Sequence, residues 1–279
     1  MRHEKRRGQG LSEVSLVVAL IAIVAILILS LLGGKVGGLF ECVVKDIRSQ
    51  SCTANDVATS DGFMPGGNYA STVQSDHPVA YWKLDDSTAT IADASGNGHT
   101  GTLAGPGTAT EGIAGALLGP DKAILFDGST NSINTNPPIA ALGSNWTLEG
   151  WVKTNTSATM HIVETSPMEF YITAGGNLTA DKVPGVGTVT TSGVALADGN
   201  WHYVVATDDG TNLTLYVDGQ FRVSSPTLGA GAAITGTTVA IAQAVAGGGY
   251  FNGGLDDVAV YNVALSLSQV QAHFAAASV

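Results

Sequence analysis

Glu149 stands alone in its run, and Glu164 and Glu169 are five positions apart across Pro167. Asp256 and Asp257 are adjacent, which in an alternating strand sends them to opposite faces. Hydrolysis of a glycosidic bond needs two carboxylates about 5 to 10 Å apart, flanking the bond. A strand supplies them most simply at every second residue, and the chain has no Glu-x-Asp-x-Glu run. It also lacks H-E-x-x-H, G-x-S-x-G and a phosphate-binding glycine loop. The six histidines are scattered singly and read as surface or structural residues. The expectation is that the protein is not an enzyme.

Cys42 and Cys52 are the only cysteines, ten positions apart. Outside the cytoplasm such a pair favours a disulfide, which would stabilise its short loop by roughly 2 to 4 kcal/mol. Two unpaired thiols are the other reading, and the spacing matches no zinc pattern.

One carboxylate is placed differently from all the others. Glu13 opens an apolar run over residues 14–32, which is interrupted only by Ser15 and Ser30. As a helix at ~1.5 Å per residue that run is about 28 Å long, close to the ~30 Å thickness of bilayer hydrocarbon. A charge in a bilayer costs on the order of 2.5 to 3.5 kcal/mol on insertion scales, so such residues usually have a partner. The bland alternative is an interfacial acid at a helix start, favoured by the macrodipole. Secretory signals have shorter apolar regions. Here the helical period continues through Val36, Leu39, Phe40, Val43, Val44 and Ile47. Gly33, Gly34, Gly37 and Gly38 interrupt it, either as a bend or as small residues that allow close helix packing.

Charge is segregated along the chain. Arg2, His3, Lys5, Arg6 and Arg7 precede the apolar run, whereas from Gln9 onward there are 8 Lys and Arg against 22 Asp and Glu. A remainder this acidic argues against nucleic acid as a partner.

Beyond residue 48 the texture changes. Residues 49–76 are polar, rich in Gly, Ser, Thr, Asn and Asp, without a sustained period, and read as a linker. From His77 short alternating runs follow, bounded by turn residues: AYWKLDD, KAILFDG, NWTLEGWVKT, FYITAGG, NWHYVVATDDG, NLTLYVDGQ, TVAIAQ and LDDVAVYN. Strands joined by turns, with no helices between them, argue for a mainly β, antiparallel sandwich preceded by one long hydrophobic helix. Near the end Ser266 and Gln269 have the spacing of a capping box.

The basic leader ending in Gly, with Glu at the fifth position after it, resembles type IV prepilins. The continuation through residue 44 looks like the Tad/Flp class of small pilins, with Val14 where those pilins carry Tyr. The resemblance implies a leader at residues 1–8 cut between Gly8 and Gln9, although a cut after Gly10 would also follow a glycine. It implies a helix over 9–48 held in the membrane before assembly, then packed in a helical homopolymer. There Glu13 would pair with a neighbour's α-amine. Prepilin peptidase and the pilus assembly machinery would be its partners, and the extracellular filament at the cell surface its destination.

Residues 77–279 resemble the laminin-G-like, concanavalin A-like jelly roll in the order of AYWKLDD, DASGNGHTGTL, LFDG, WTLEGWVK, GNWHYVVATDDGTNLTLYVDGQ and GGLDDVAVYNVALS. This implies a domain displayed for adhesion or for recognition of a carbohydrate or other surface ligand. It also implies a Ca²⁺ site, for which Asp93, Asn97, Asp127, Asp256 and Asp257 are the candidate ligands. The same Asp and Asn residues would equally serve as turn formers. Trp82, Trp146, Trp151 and Trp201 are expected mostly in the core. Tyr250 and Phe251, borne on a glycine-rich loop, are the candidate ligand contacts, with a hydrophobic plug as the other reading. A membrane-tethered lectin that never polymerises is the alternative function. A degenerate glycan hydrolase would need the paired carboxylates that the sequence does not display.

Overall fold

The computed structural model describes residues 67–105, 109–165, 168–182, 188–226 and 238–277. The chain divides into two compact units, Met1–Met64 and Pro65–Val279. Gly8, Gln9, Glu13, Cys42, Cys52 and the apolar helix all lie outside the described residues. Among the described residues no helix is long and apolar enough to cross a membrane.

The second unit begins earlier than the sequence suggests. A helix, α1 (Gly67–Ser75), occupies the end of the expected linker and buries Tyr69 and Val73 completely. Its sequence GNYASTVQS has only those two large apolar residues, four apart on one face, too few for periodicity to reveal it.

Among the described residues, sixteen strands then build two antiparallel sheets. The first runs β14 (Gln220–Ser225), β13 (Leu213–Val217), β12 (Trp201–Asp209), β7 (Asn145–Lys153), β16 (Asn252–Tyr261), β5 (Lys122–Asp127) and β4 (Thr110–Ala114), with β1 (Ala80–Trp82) also paired to β16. The second runs β11 (Thr188–Thr190), β10 (Leu178–Lys182), β9 (Met168–Ile172), β8 (Met160–Thr165), β15 (Val239–Ile241), β6 (Ser132–Asn136), β3 (Thr100–Ala104) and β2 (Thr90–Ile91). The expected sandwich is therefore present, and each of the eight runs read from the sequence contains a strand.

Period-two alternation explains the layering. In β7, Trp146, Leu148 and Val152 face the inter-sheet core together with Phe126, Phe170 and Ile241. Each such side chain stabilises the fold by about 1.5 to 3 kcal/mol on burial. The intervening Glu149 and Trp151 face the other way, yet they too are buried. α1 and the C-terminal helix α2 (Leu267–Ala277) cover that outer face with a second cluster that includes Tyr69, Tyr203, Tyr261 and Val270. The capping box forms as expected. Gln269 N donates to Ser266 Oγ at 3.3 Å, and Ser266 N donates to Gln269 Oε1 at 3.0 Å.

Between the helices and the sheet lies a buried polar hub. Glu149, fully buried, accepts hydrogen bonds from the hydroxyls of Tyr203 and Tyr261, and its carboxylate lies 3.0 Å from His273 Nδ1. The other imidazole nitrogen is 3.0 Å from Asp76 Oδ2, at the end of α1. Gln269 Nε2 donates to the second oxygen of Asp76 at 2.9 Å. Burial lowers the tendency of His273 to protonate, but the Glu149 and Asp76 carboxylates outweigh it and raise its pKa.

Candidate functional site

Asp256 and Asp257 both reach the same place, contrary to strict alternation. The register of β16 against β7 shifts between Asp256 and Ala259, and Asp257 takes a φ of 48°. A bulge with a residue in the left-handed region turns one side chain that would otherwise face the opposite side. Asp121, in the turn before β5, joins them. One oxygen of each of the three carboxylates lies within 4.8 Å of the others. The backbone crowds this centre, because a Cβ at Gly115 would collide with the carboxylates of Asp121 and Asp256.

The hydrogen bonds around the centre leave two of its oxygens unmatched. Asp256 Oδ2 accepts from Ala116 N at 2.8 Å, Asp121 Oδ2 from Leu117 N at 2.8 Å, and Asp257 Oδ1 from the Tyr81 hydroxyl. Asp256 Oδ1 and Asp257 Oδ2 are buried without a hydrogen-bond partner. Lys83, the nearby cation, bonds to Asp85 instead. Burial first, then repulsion by Asp257 and Asp121, raises the pKa of Asp256 well above the carboxylate range. Burial raises Asp257 likewise, against the pull of the Tyr81 hydrogen bond, and burial also raises Asp121. Orphaned hard oxygen donors beside one another fit a divalent cation such as Ca²⁺ better than they fit an empty core.

The other three candidate ligands serve turns. Asp93 accepts hydrogen bonds from the backbone of Tyr81, Ser95 and His99, and Asn97 Nδ2 donates to Val79 O at 2.9 Å. Asp127 accepts from the amides of Ser129 and Thr130, which hold its carboxyl well below its usual pKa. None of them joins the Asp121 centre. Asp121 itself was not legible from the sequence, since its role depends on a turn brought beside β16.

Phe251 is fully buried between the sheets, so it is a plug and not a surface contact, whereas Tyr250 stays half-exposed. Trp82, Trp146 and Trp151 are buried as expected, but Trp201 is only half-buried. It lines a groove of about 390 Å³ together with Trp151, Phe274, Leu118, His202 and Asp218. Lys153 Nζ sits 5.9 Å from the centre of the Trp201 ring. His202 is held between Asp218 and Asp198, 2.9 and 3.1 Å from its two nitrogens. The Asp218 hydrogen bond, more than any other influence, raises the pKa of His202. An aromatic face beside fixed polar groups can stack on a sugar ring and hydrogen-bond its hydroxyls.

Residues 127–271, just over half of the chain, match the model of the concanavalin A-like lectin/glucanases superfamily. No curated protein matches. Among solved structures, domain 4 of AbnA, a GH43 extracellular arabinanase from Geobacillus stearothermophilus in complex with arabinotriose, is 17% identical at a TM-score of 0.55. The alignment covers 70% of this chain and 97% of that domain. The botulinum neurotoxin serotype D ligand binding domain in complex with N-acetylneuraminic acid is 14% identical at a TM-score of 0.54, covering 74% of this chain and 52% of that one. The binding domain of Paraclostridial Mosquitocidal Protein 1 is 17% identical at a TM-score of 0.54, with 72% and 52% covered. The chain thus spans nearly all of the arabinanase domain and about half the length of the two toxin binding domains.

Proposed function

The chain belongs to the concanavalin A-like lectin/glucanases superfamily, and we propose that it is a type IV pilus subunit of the Tad/Flp kind that displays this sandwich as a lectin. Its N-terminal helix polymerises in the filament core, and the sandwich outside binds a carbohydrate or other surface ligand. Before assembly the subunit sits in the cytoplasmic membrane. Prepilin peptidase then removes residues 1–8, and the pilus machinery extracts the helix. The protein is not an enzyme.

The observation that carries the recognition half is Trp201, a half-buried indole flanked by a fixed imidazole and carboxylate in an open groove. Sugar-bound neighbours of the same fold support the reading. The assembly half rests on Gly8, Gln9 and Glu13 ahead of the apolar run. Ca²⁺ is part of the proposal: Asp121, Asp256 and Asp257 would hold it, and it would supply the positive charge that their buried oxygens lack.

Electron microscopy of sheared surface material, with immunogold against the sandwich, tests assembly. Labelled filaments that require Glu13 and vanish in Glu13→Ala support it. Wild-type protein confined to the membrane fraction, without labelled filaments, replaces the pilin by a tethered lectin.

A further inference from the structure

The outer face of the second sheet carries a line of carboxylates that the sequence separates. Glu164 on β8 is the register partner of Glu169 on β9, and Glu169 is the register partner of Asp181 on β10. Three acids therefore stand side by side on strands about 4.8 Å apart, and like charges in that arrangement repel. Two register pairs along, on the same face, His161 faces Tyr171, and the two rings stack at 5.2 Å. Tyr171 donates its hydroxyl proton to Asp181 Oδ2 at 3.0 Å. Burial, then Asp181 and Glu164, push the pKa of Glu169 up.

Two of these groups are recessed and unsatisfied. His161 and Glu164 are 8% and 6% exposed, and both His161 Nδ1 and Glu164 Oε2 lack a hydrogen-bond partner. The two atoms are only 3.3 Å apart, near enough for charge attraction once the ring is protonated but not aligned as a hydrogen bond. No lysine or arginine forms a salt bridge with Glu164, Glu169 or Asp181 among the described residues. The turn before β16 closes over one end, with His161 N donating to Gly249 O at 2.8 Å.

We propose that this face is a site for a ligand bearing an ammonium group, which Glu164, Glu169 and Asp181 hold by charge while the stacked Tyr171 and His161 rings take its apolar part. An ammonium brings three donors to a face lined by carboxylate acceptors. Its charge offsets the repulsion among the three carboxylates, and a cation beside an aromatic face gains a further attraction. The site lies on the opposite sheet from the Trp201 groove and does not depend on it.

Calorimetric titration of the full chain with glucosamine, cadaverine and N-acetylglucosamine tests the site at low salt. Saturating Ca²⁺ keeps Asp121, Asp256 and Asp257 out of the competition. Glucosamine or cadaverine binding, with N-acetylglucosamine inert, is the expected result. Binding of glucosamine alone identifies an amino sugar, and binding of cadaverine identifies a free alkyl amine such as a lysine side chain. Glu164→Gln and the half-exposed Asp181→Asn each weaken that binding about tenfold or more. Trp201→Ala leaves it unchanged, which separates this site from the lectin reading. Near-UV circular dichroism checks that each variant is folded. Absence of amine binding, equal binding of N-acetylglucosamine, or amine binding that survives both carboxylate substitutions overturns the proposal.

Discussion

His273 and Glu149 meet 3.0 Å apart with both side chains wholly removed from solvent, one on α2 and the other on the central strand β7. Removing one member of such a pair leaves the other charge buried and unmatched. His273→Phe should therefore cost about 3 to 5 kcal/mol, read from denaturant unfolding. The pKa of His273 is raised in the folded state, so its stabilising effect is complete below the unfolded value near ~6.5 and declines as pH rises through the folded one. The wild type should lose this part of its stability on going alkaline, while His273→Phe should show a flatter profile over the same range. Equal slopes for the two proteins would mean that the hub does not titrate as described.

The Asp121 centre makes a pH prediction of the same sign. Carboxylates whose folded pKa is raised stabilise the fold below their unfolded value near ~3.9, and that contribution is lost as pH rises through the folded one. In chelator the melting temperature should fall from acid towards neutral pH, and Ca²⁺ should restore it most where the carboxylates are ionised. At a hundredfold excess over Kd the gain is about 2.7 kcal/mol. Asp256→Asn should remove the response to Ca²⁺. A melting temperature that Ca²⁺ leaves unmoved at every pH would remove the metal from the proposed function.

Trp201→Ala should weaken binding of any glycan that the wild type captures on an array by about tenfold, since aromatic anchors dominate such contacts. The side chain is half-buried, so thermal stability should change far less than for Trp146→Ala in the core. Undiminished glycan binding would place recognition elsewhere.

Gly249 adopts a φ of 57°, and a Cβ there would run into the imidazole of His161. Gly249→Ala should destabilise the sandwich by about 1 to 3 kcal/mol. An unfolding midpoint within experimental error of wild type would show that this turn can rearrange.

Much of the sandwich was legible because alternation and turn residues coincide, as in AYWKLDD and KAILFDG. β8 was not, since a register shift between His161 and Val163 puts the outward-facing His161 and Glu164 three residues apart, which breaks the period of two, and all six residues of MHIVET are buried. That omission hid the opposition of Glu164 to Glu169, a relationship set by strand register and not by sequence distance. α1 was missed because a helix that packs on a finished sheet needs only two apolar anchors. Asp256 and Asp257 were picked out, but not their convergence, which depends on one left-handed residue within a bulge. Trp201 looked like core because its run alternates correctly, and only the end of β12 leaves its ring at the surface.

The order in which α1 and β1 meet the rest of the unit sets how it would bear a pull on its N-terminal side. Load entering at Gly67 arrives first at α1, which the Asp76, His273 and Glu149 chain ties to β7. Only when that clasp parts does tension reach β1, held along β16 by the registers Ala80 to Val260 and Trp82 to Val258. Under such a load the helix would yield first, lengthening the chain ahead of β1 before the sheet that carries the groove is disturbed.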